Sequence, residues 1–160
     1  MDVRYINPFI FGIQKVFSTM LDTRILISKP CVKVSEGAHA DVLAIIGFSG
    51  GAAGNVTLCF PLRTAVSVAS KFSGTEITAE HPDFGDALGG LANMVAGHAK
   101  SKFDGLDVSI SLPRVISGQE IKLLDSKTSP VLILPCDSRL GRFTTEVSMV
   151  VTRKSAAACA

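Results

Sequence analysis

An aspartate and an asparagine stand seven residues apart in the segment DFGDALGGLANMVAGHAK, residues 83–100. At about 100° per residue, this spacing places Asp86 and Asn93 on the same side of a helix. A carboxamide has hydrogen-bond donors and an acceptor, so Asn93 could hold and orient a water molecule. The pair is the strongest candidate for chemistry in this sequence.

The rest of that helix side is nearly bare. It presents Gly89, Gly90, Gly97 and Lys100. A solvated helix face normally carries long charged side chains, and each interior glycine costs roughly 0.5–1 kcal/mol relative to alanine. Three interpretations stay open. The glycines admit a loop or helix of the same chain, or the side is a docking surface for another protein, or Asn93 activates a water molecule.

Other motifs give no catalytic or metal site. The loop GFSGGAAGN lacks the Lys-Ser/Thr of a phosphate-binding loop and precedes a strand, so a flexible hairpin turn is predicted. Ser49 in this loop lies in no G-x-S-x-G elbow. The histidines are scattered, and the four cysteines form no C-x-x-C pair. We therefore predict no metal and no cofactor, and interpret the cysteines as buried free thiols.

Composition limits the class of protein. The chain has 160 residues, 47% of them hydrophobic, which is enough for one packed domain. The net charge of +2 comes from scattered residues, so neither nucleic acid nor an anionic membrane is a predicted partner. No signal peptide or membrane span is visible, and a cytoplasmic location is expected. The low charged fraction, 19%, indicates surface shared with a partner or a second subunit.

Hydrophobic periodicity predicts three helices. The first covers about residues 8–21, with Asn7 as N-cap and Pro8 at the first helical position. The second follows Pro61, with Leu62, Val66, Ala69 and Phe72 at helical spacing, and stops at Gly74. The third covers about residues 82–103, and its core face is predicted to consist of Phe84, Leu88, Leu91, Ala92, Val95 and Ala99.

The remaining segments are typical of strands. They are CVKVS, DVLAIIGFSG, GNVTLCFP, DVSISLPRVISG, EIKLLD, SPVLILPCD and GRFTTEVSMVVTRK. This order favours an α+β fold with a mainly antiparallel sheet flanked by helices. A single domain is predicted over residues 1–154, followed by a frayed tail over residues 155–160.

Several of these segments together resemble the CheC/CheX/FliY family of chemotaxis phosphatases, and CheX most. INPFIFGIQKVFSTML resembles the family's opening helix, and DVLAIIGFSGGAAGNVTLCFP its first hairpin. DALGGLANMVAGHAKSKF resembles the active-site helix, and VSISLPRVISG the strand after it. The resemblance implies a CheX/CheC-like fold, and it implies a homodimer, for which the strand-rich C-terminal half could supply an edge.

The family's active-site pattern is Asp or Ser, three residues, Glu, two residues, Asn, and a proline some twenty residues later. Aligned on this pattern, Asp86 takes the first position, Asn93 the amide position and Pro113 the proline position. The glutamate position falls on Gly90. The acid is missing.

The resemblance implies docking on a phosphorylated CheY-type response regulator. In such phosphatases the asparagine orients a water molecule for in-line attack on the aspartyl phosphate, the glutamate pairs with a regulator lysine, and the divalent metal belongs to the regulator. Here Asp86, Gly90, Asn93, Gly97 and Pro113 would form the docking surface. The expected function is docking in chemotaxis or another two-component pathway, with phosphatase activity weak or lost. An active phosphatase with a substitute acid and a non-catalytic dimerising domain are the alternatives.

Overall fold

The computed structural model describes residues 3–33, 40–103, 105–121 and 130–152. Within these ranges the helices are α1 (Val3–Met20), α2 (Leu62–Ser73) and α3 (Phe84–Lys100). The strands are β1 (Ile25–Ile27), β2 (Cys31–Val32), β3 (Ala40–Gly50), β4 (Ala52–Phe60), β5 (Val108–Ile110), β6 (Arg114–Ile121), β7 (Leu132–Ser138) and β8 (Gly141–Val151).

The strands form a single sheet in the order β1-β7-β8-β4-β3-β5, with β2 also on β7 and β6 also on β3. Each strand pair in the described ranges is antiparallel. The predicted α+β class with an antiparallel sheet is confirmed.

The helices and one face of the sheet enclose the main core. Alternate residues of β3, such as Val42 and Ala44, join this core, while Leu43 belongs to a separate small cluster with Cys59. Because successive strand side chains point to opposite faces, this second cluster lies on the face away from the helices. Helix α3 contacts both other helices and also β3, β4, β5 and β6. It is the element around which the domain is assembled.

Helix α1 begins earlier than predicted. The prediction of Asn7 as N-cap with Pro8 at the first helical position is wrong, because the helix starts at Val3 and Pro8 lies inside it. The added turn carries Ile6, which is buried, and Tyr5, whose ring meets Phe103 edge-on at a centroid distance of 6.3 Å. The stability gained by packing this turn exceeds the stability lost because Pro8 has no N–H to donate a backbone hydrogen bond.

The predicted glycine-rich loop is mostly sheet. Strands β3 and β4 pair from Val42 opposite Phe60 to Phe48 opposite Gly54. Beyond this pair residues 49–50 pair with β5 and residues 52–53 with β8, so only Gly51 lies outside a strand. A Cβ on Gly54 would collide with the backbone of Ser148 on β8, and Gly54 has φ +153°. The glycine therefore serves the close approach of a neighbouring strand, not loop flexibility.

Helix α2 agrees with its prediction in extent, and of the four residues predicted at helical spacing only Leu62 does not pack against the core. It ends at Gly74, which adopts the left-handed conformation with φ 74°. Its buried residues are Thr64, Ala65, Val68 and Ala69, whereas Leu62 is exposed. Helix α3 is shorter than the predicted 82–103, since it starts at Phe84 and ends at Lys100.

Within the described residues, the strand predictions hold with two differences. Strand β1 was not predicted, and the segment DVSISLPRVISG divides into β5 and β6 around residues 111–113. Most of EIKLLD, part of CVKVS and the tail 155–160 lie outside the described residues. None of the described helices is long and apolar enough to cross a membrane.

Candidate functional site

The third helix has the two sides that the sequence predicts, with one exception. All of its predicted core residues are buried. Asp86, Asn93 and Lys100 are exposed, and Gly90 and Gly97 are partly exposed. The prediction for Gly89 is corrected because this residue is buried. We call the exposed line Asp86, Gly90, Asn93 and Gly97 the α3 strip.

Gly89 is buried because Pro113 packs onto it. A Cβ at Gly89 would lie 3.3 Å from Cβ and Cγ of Pro113 and 3.4 Å from Cγ2 of Val115. The 3.3 Å distances are shorter than about nine in ten real Cβ contacts, so Pro113 would have to move by a few tenths of an ångström. Gly89 therefore provides clearance for the proline, and this contact places the β5–β6 connection beside the α3 strip.

Gly90 has a different environment. A Cβ there would lie 3.6 and 3.7 Å from two ring atoms of Phe72 on α2, which is ordinary van der Waals contact. At Gly97 nothing lies within 4 Å of such a Cβ. Neither position excludes a side chain for steric reasons, so the internal packing of the described chain does not require these two glycines.

The polar side chains of the strip have no partner among the described residues. Within the described ranges, neither the Asp86 carboxylate nor the Asn93 carboxamide has a hydrogen-bond or ion-pair partner. Asn93 lies one turn after Gly90, so its carboxamide stands next to bare backbone. The arrangement can present an amide to a water molecule or to a partner that approaches the helix closely.

Hydrogen bonds in the connection between β5 and β6 hold Pro113 next to the α3 strip. Ser111 donates its N–H to the Gly47 carbonyl at 2.9 Å and accepts the Gly47 N–H through Oγ at 2.8 Å. The same hydroxyl donates to the carbonyl of Leu112 at 3.0 Å. These bonds hold the backbone just before Pro113 against β3. Pairing within the sheet therefore positions Pro113, the proline predicted for the docking surface, against α3.

A further glycine positions α3 and was missed by the sequence reasoning. A Cβ at Gly12 of α1 would lie 2.8 Å from the carbonyl oxygen of Val95. The two helices can approach this closely only because Gly12 has no side chain. The signal was available, since a glycine within the amphipathic run FIFGIQKVF lowers helix propensity without marking an end of the helix.

The cysteines match their interpretation only in part. Cys59 and Cys136 are buried free thiols, whereas Cys31 is exposed, and Cys159 lies outside the described residues. Cys31 lies on the short strand β2, where its side chain stays accessible. Burial raises the pKa of Cys136 to about 12, and burial together with the nearby Glu146 carboxylate raises the pKa of Cys59 well above its ordinary value. Among the described residues, no group of three His, Cys, Asp or Glu could hold a metal ion.

Comparison with known proteins assigns the family. The family model described as chemotaxis phosphatase CheX matches residues 42–137, more than half of the chain. The chain belongs to the CheX family. A curated CheX relative from Thermotoga maritima, the CheY-P phosphatase CheX, is 28% identical over 126 residues, which span 77% of this chain and 81% of the relative.

Solved CheX structures share the fold. A CheX crystal structure from Desulfovibrio desulfuricans is 28% identical, with a TM-score of 0.84 over 92% of this chain and 99% of the other. The crystal structure of a CheX–CheY–BeF3–Mg2+ complex from Borrelia burgdorferi matches at 24% identity, with a TM-score of 0.74 over 91% of this chain and 97% of that one. The resemblance and the CheX/CheC-like fold predicted from the sequence are confirmed.

Proposed function

We propose that this CheX-family protein docks on the receiver domain of a phosphorylated CheY-type response regulator through the α3 strip and Pro113. The observation that carries the proposal is the exposed Asn93, whose carboxamide has no hydrogen-bond partner among the described residues. It lies on a helix side where Gly90 and Gly97 have no side chains. The Borrelia burgdorferi CheX structure contains CheY, which supports a receiver domain as the partner. The metal of the reaction would be bound by the regulator.

We further propose that hydrolysis of the aspartyl phosphate is weak or lost. The sequence pattern aligns the family's glutamate with Gly90, which has no side chain to pair with a regulator lysine. Removing one partner of a buried interface charge pair costs about 2–5 kcal/mol, which corresponds to at least ~30-fold in binding or turnover. Asp86 lies one turn earlier on the helix and points to the same side, but its position differs from that of Gly90.

Two alternatives make different predictions. In an active phosphatase, Asn93 would orient the attacking water while another acid, such as Asp86, holds the regulator. In a non-catalytic domain that only dimerises, the strip would contact no receiver. We propose a homodimer as the oligomeric state in each case, in a cytoplasmic protein of the chemotaxis or another two-component pathway.

The test is binding and phosphate release with a receiver phosphorylated by acetyl phosphate. We expect the wild type to bind the phosphorylated receiver while phosphate release stays near the receiver's own rate. Asn93→Arg, which places a long side chain on the strip, should abolish binding, and Lys71→Ala on an exposed part of α2 is the control. Fast release that disappears in Asn93→Ala would instead establish the active phosphatase, and absence of binding would favour the dimerising domain.

A further inference from the structure

Leu112 is the most exposed large apolar side chain among the described residues, at 86% of its full accessible surface. Single exposed apolar side chains are common on proteins, so exposure alone assigns no role. The surroundings of Leu112 are less common, because the backbone on both sides of it is fixed.

Hydrogen bonds and sheet pairing fix that backbone. Ser111 exchanges two hydrogen bonds with Gly47, and its hydroxyl donates to the carbonyl of Leu112. On one side Ile110 pairs with Phe48, and on the other Arg114 pairs with Ile45. Leu112 therefore cannot fold back onto the sheet without breaking pairs in β5 or β6.

The register explains why the side chain points outward. Residues 111–113 face only residues 46–47 of β3, so this edge carries one extra residue. An extra residue interrupts the alternation of a strand and redirects its side chains, as a β-bulge does. Under strict alternation Leu112 would share the face of Ile110, which packs against the core. The irregularity instead places Leu112 in solvent and turns Pro113 toward Gly89.

The same irregularity places Leu112 beside the α3 strip. The adjacent Pro113 lies against Gly89, which directly precedes Gly90 of the strip. A partner that covers Gly90 and extends past Pro113 would next meet Leu112. An apolar side chain on a fixed backbone next to a polar, glycine-lined surface can add buried apolar area when a partner covers that surface.

We propose that Leu112 is an apolar anchor for the receiver domain, inserted into an apolar patch of that partner next to the surface that meets Asn93. The inference rests on the proposed function and adds a contact outside the motif on α3. Because hydrogen bonds already hold the backbone around Leu112, binding orders only its side chain, so the burial of its apolar surface contributes to affinity.

Titration calorimetry with a CheY-type receiver loaded with beryllofluoride and Mg2+ tests this inference. We expect Leu112→Ser, and likewise Leu112→Gln, to raise Kd about tenfold or more. The matched control is Leu26→Ser on β1, at the opposite edge of the sheet, where the leucine is 65% exposed. Its Kd should equal that of the wild type, and circular dichroism should show native folding for all variants.

The outcomes separate the two proposals. Wild-type binding with unchanged affinity in both Leu112 variants overturns the anchor and leaves the docking proposal standing. No binding by the wild type overturns both. Sedimentation of each variant adds a further outcome, since loss of self-association in Leu112→Ser with unchanged receiver affinity would assign the leucine to contact between two copies of the chain.

Discussion

Two adjacent glycines in α3 differ in what surrounds them. Gly89 is pressed against Pro113, while Gly90 has room for a side chain beside Phe72. From sequence, both looked like bare positions on one exposed side. Helical periodicity placed Asp86 and Asn93 correctly on the exposed side, but it could not reveal a proline that arrives from a strand connection about twenty residues later.

The contrast predicts opposite responses to alanine. Gly90→Ala should raise the free energy of unfolding by about 0.5–1 kcal/mol, because alanine restricts the unfolded chain and its Cβ meets Phe72 at an ordinary distance. Gly89→Ala should give no gain or a loss, because its Cβ meets the Pro113 ring at 3.3 Å. Urea denaturation of both variants checks this. Equal gains would show that Pro113 does not hold its place.

The thiols predict a difference in reactivity. Only a thiolate attacks a disulfide reagent, and the raised pKa of Cys136, about 12, together with its burial keeps that thiol protonated and covered near pH 8. In a Cys159→Ala background, Ellman's reagent should modify Cys31 quickly, and Cys59 and Cys136 only after guanidinium unfolding. Cys31→Ser in that background is the control. Rapid native reaction in this control would contradict the described burial.

At the scale of elements, α1 packs closely against α3 at Gly12. Gly12→Ala would place a Cβ 2.8 Å from the backbone oxygen of Val95, which cannot move without shifting α3. We expect a loss of about 1–3 kcal/mol in the free energy of unfolding. Gly97→Ala is the matched control, since its Cβ meets nothing within 4 Å. A stable Gly12→Ala variant would mean that the helices pack with more clearance.

The elements show which local signals were reliable. Gly74 stopped α2 as predicted, because a left-handed conformation there favours glycine. Pro8 misled the prediction of α1, because the burial of Ile6 extends the helix beyond a favourable local start signal. The glycines of GFSGGAAGN led to the wrong prediction of a flexible loop. Gly54 is needed because β8, a strand about ninety residues away, packs directly against its backbone. Each error concerns a long-range contact that a local pattern does not contain.

For the whole molecule, the two faces of the sheet are stabilised differently. The helix side is apolar, whereas the other side buries an ion pair, with Lys33 Nζ 2.9 Å from Glu146 Oε1. The Cys59 thiol donates to the other oxygen of the same carboxylate at 3.6 Å. Both charged side chains are almost fully buried, and removing their charges from water costs free energy. The attraction between the two charges must offset this cost.

Removing one member should therefore be costly. Lys33→Met should lower the free energy of unfolding by about 3–5 kcal/mol, because it leaves the Glu146 carboxylate buried without this lysine. Lys33→Met with Glu146→Met should cost clearly less than the sum of the single variants, as measured by guanidinium denaturation. Additive losses would show that the two residues act independently.

We propose that this CheX-family protein has the docking surface but lacks the acid, because Gly90 stands at the glutamate position. The most direct measurement is the rate of phosphate release from a phosphorylated CheY-type receiver with the Gly90→Glu variant, because a Cβ at this position meets Phe72 at an ordinary distance. We expect this rate to rise about 30-fold or more over the wild type, and the rise to disappear when Asn93→Ala is added. A wild type that already releases phosphate rapidly, with no gain from Gly90→Glu, would contradict it.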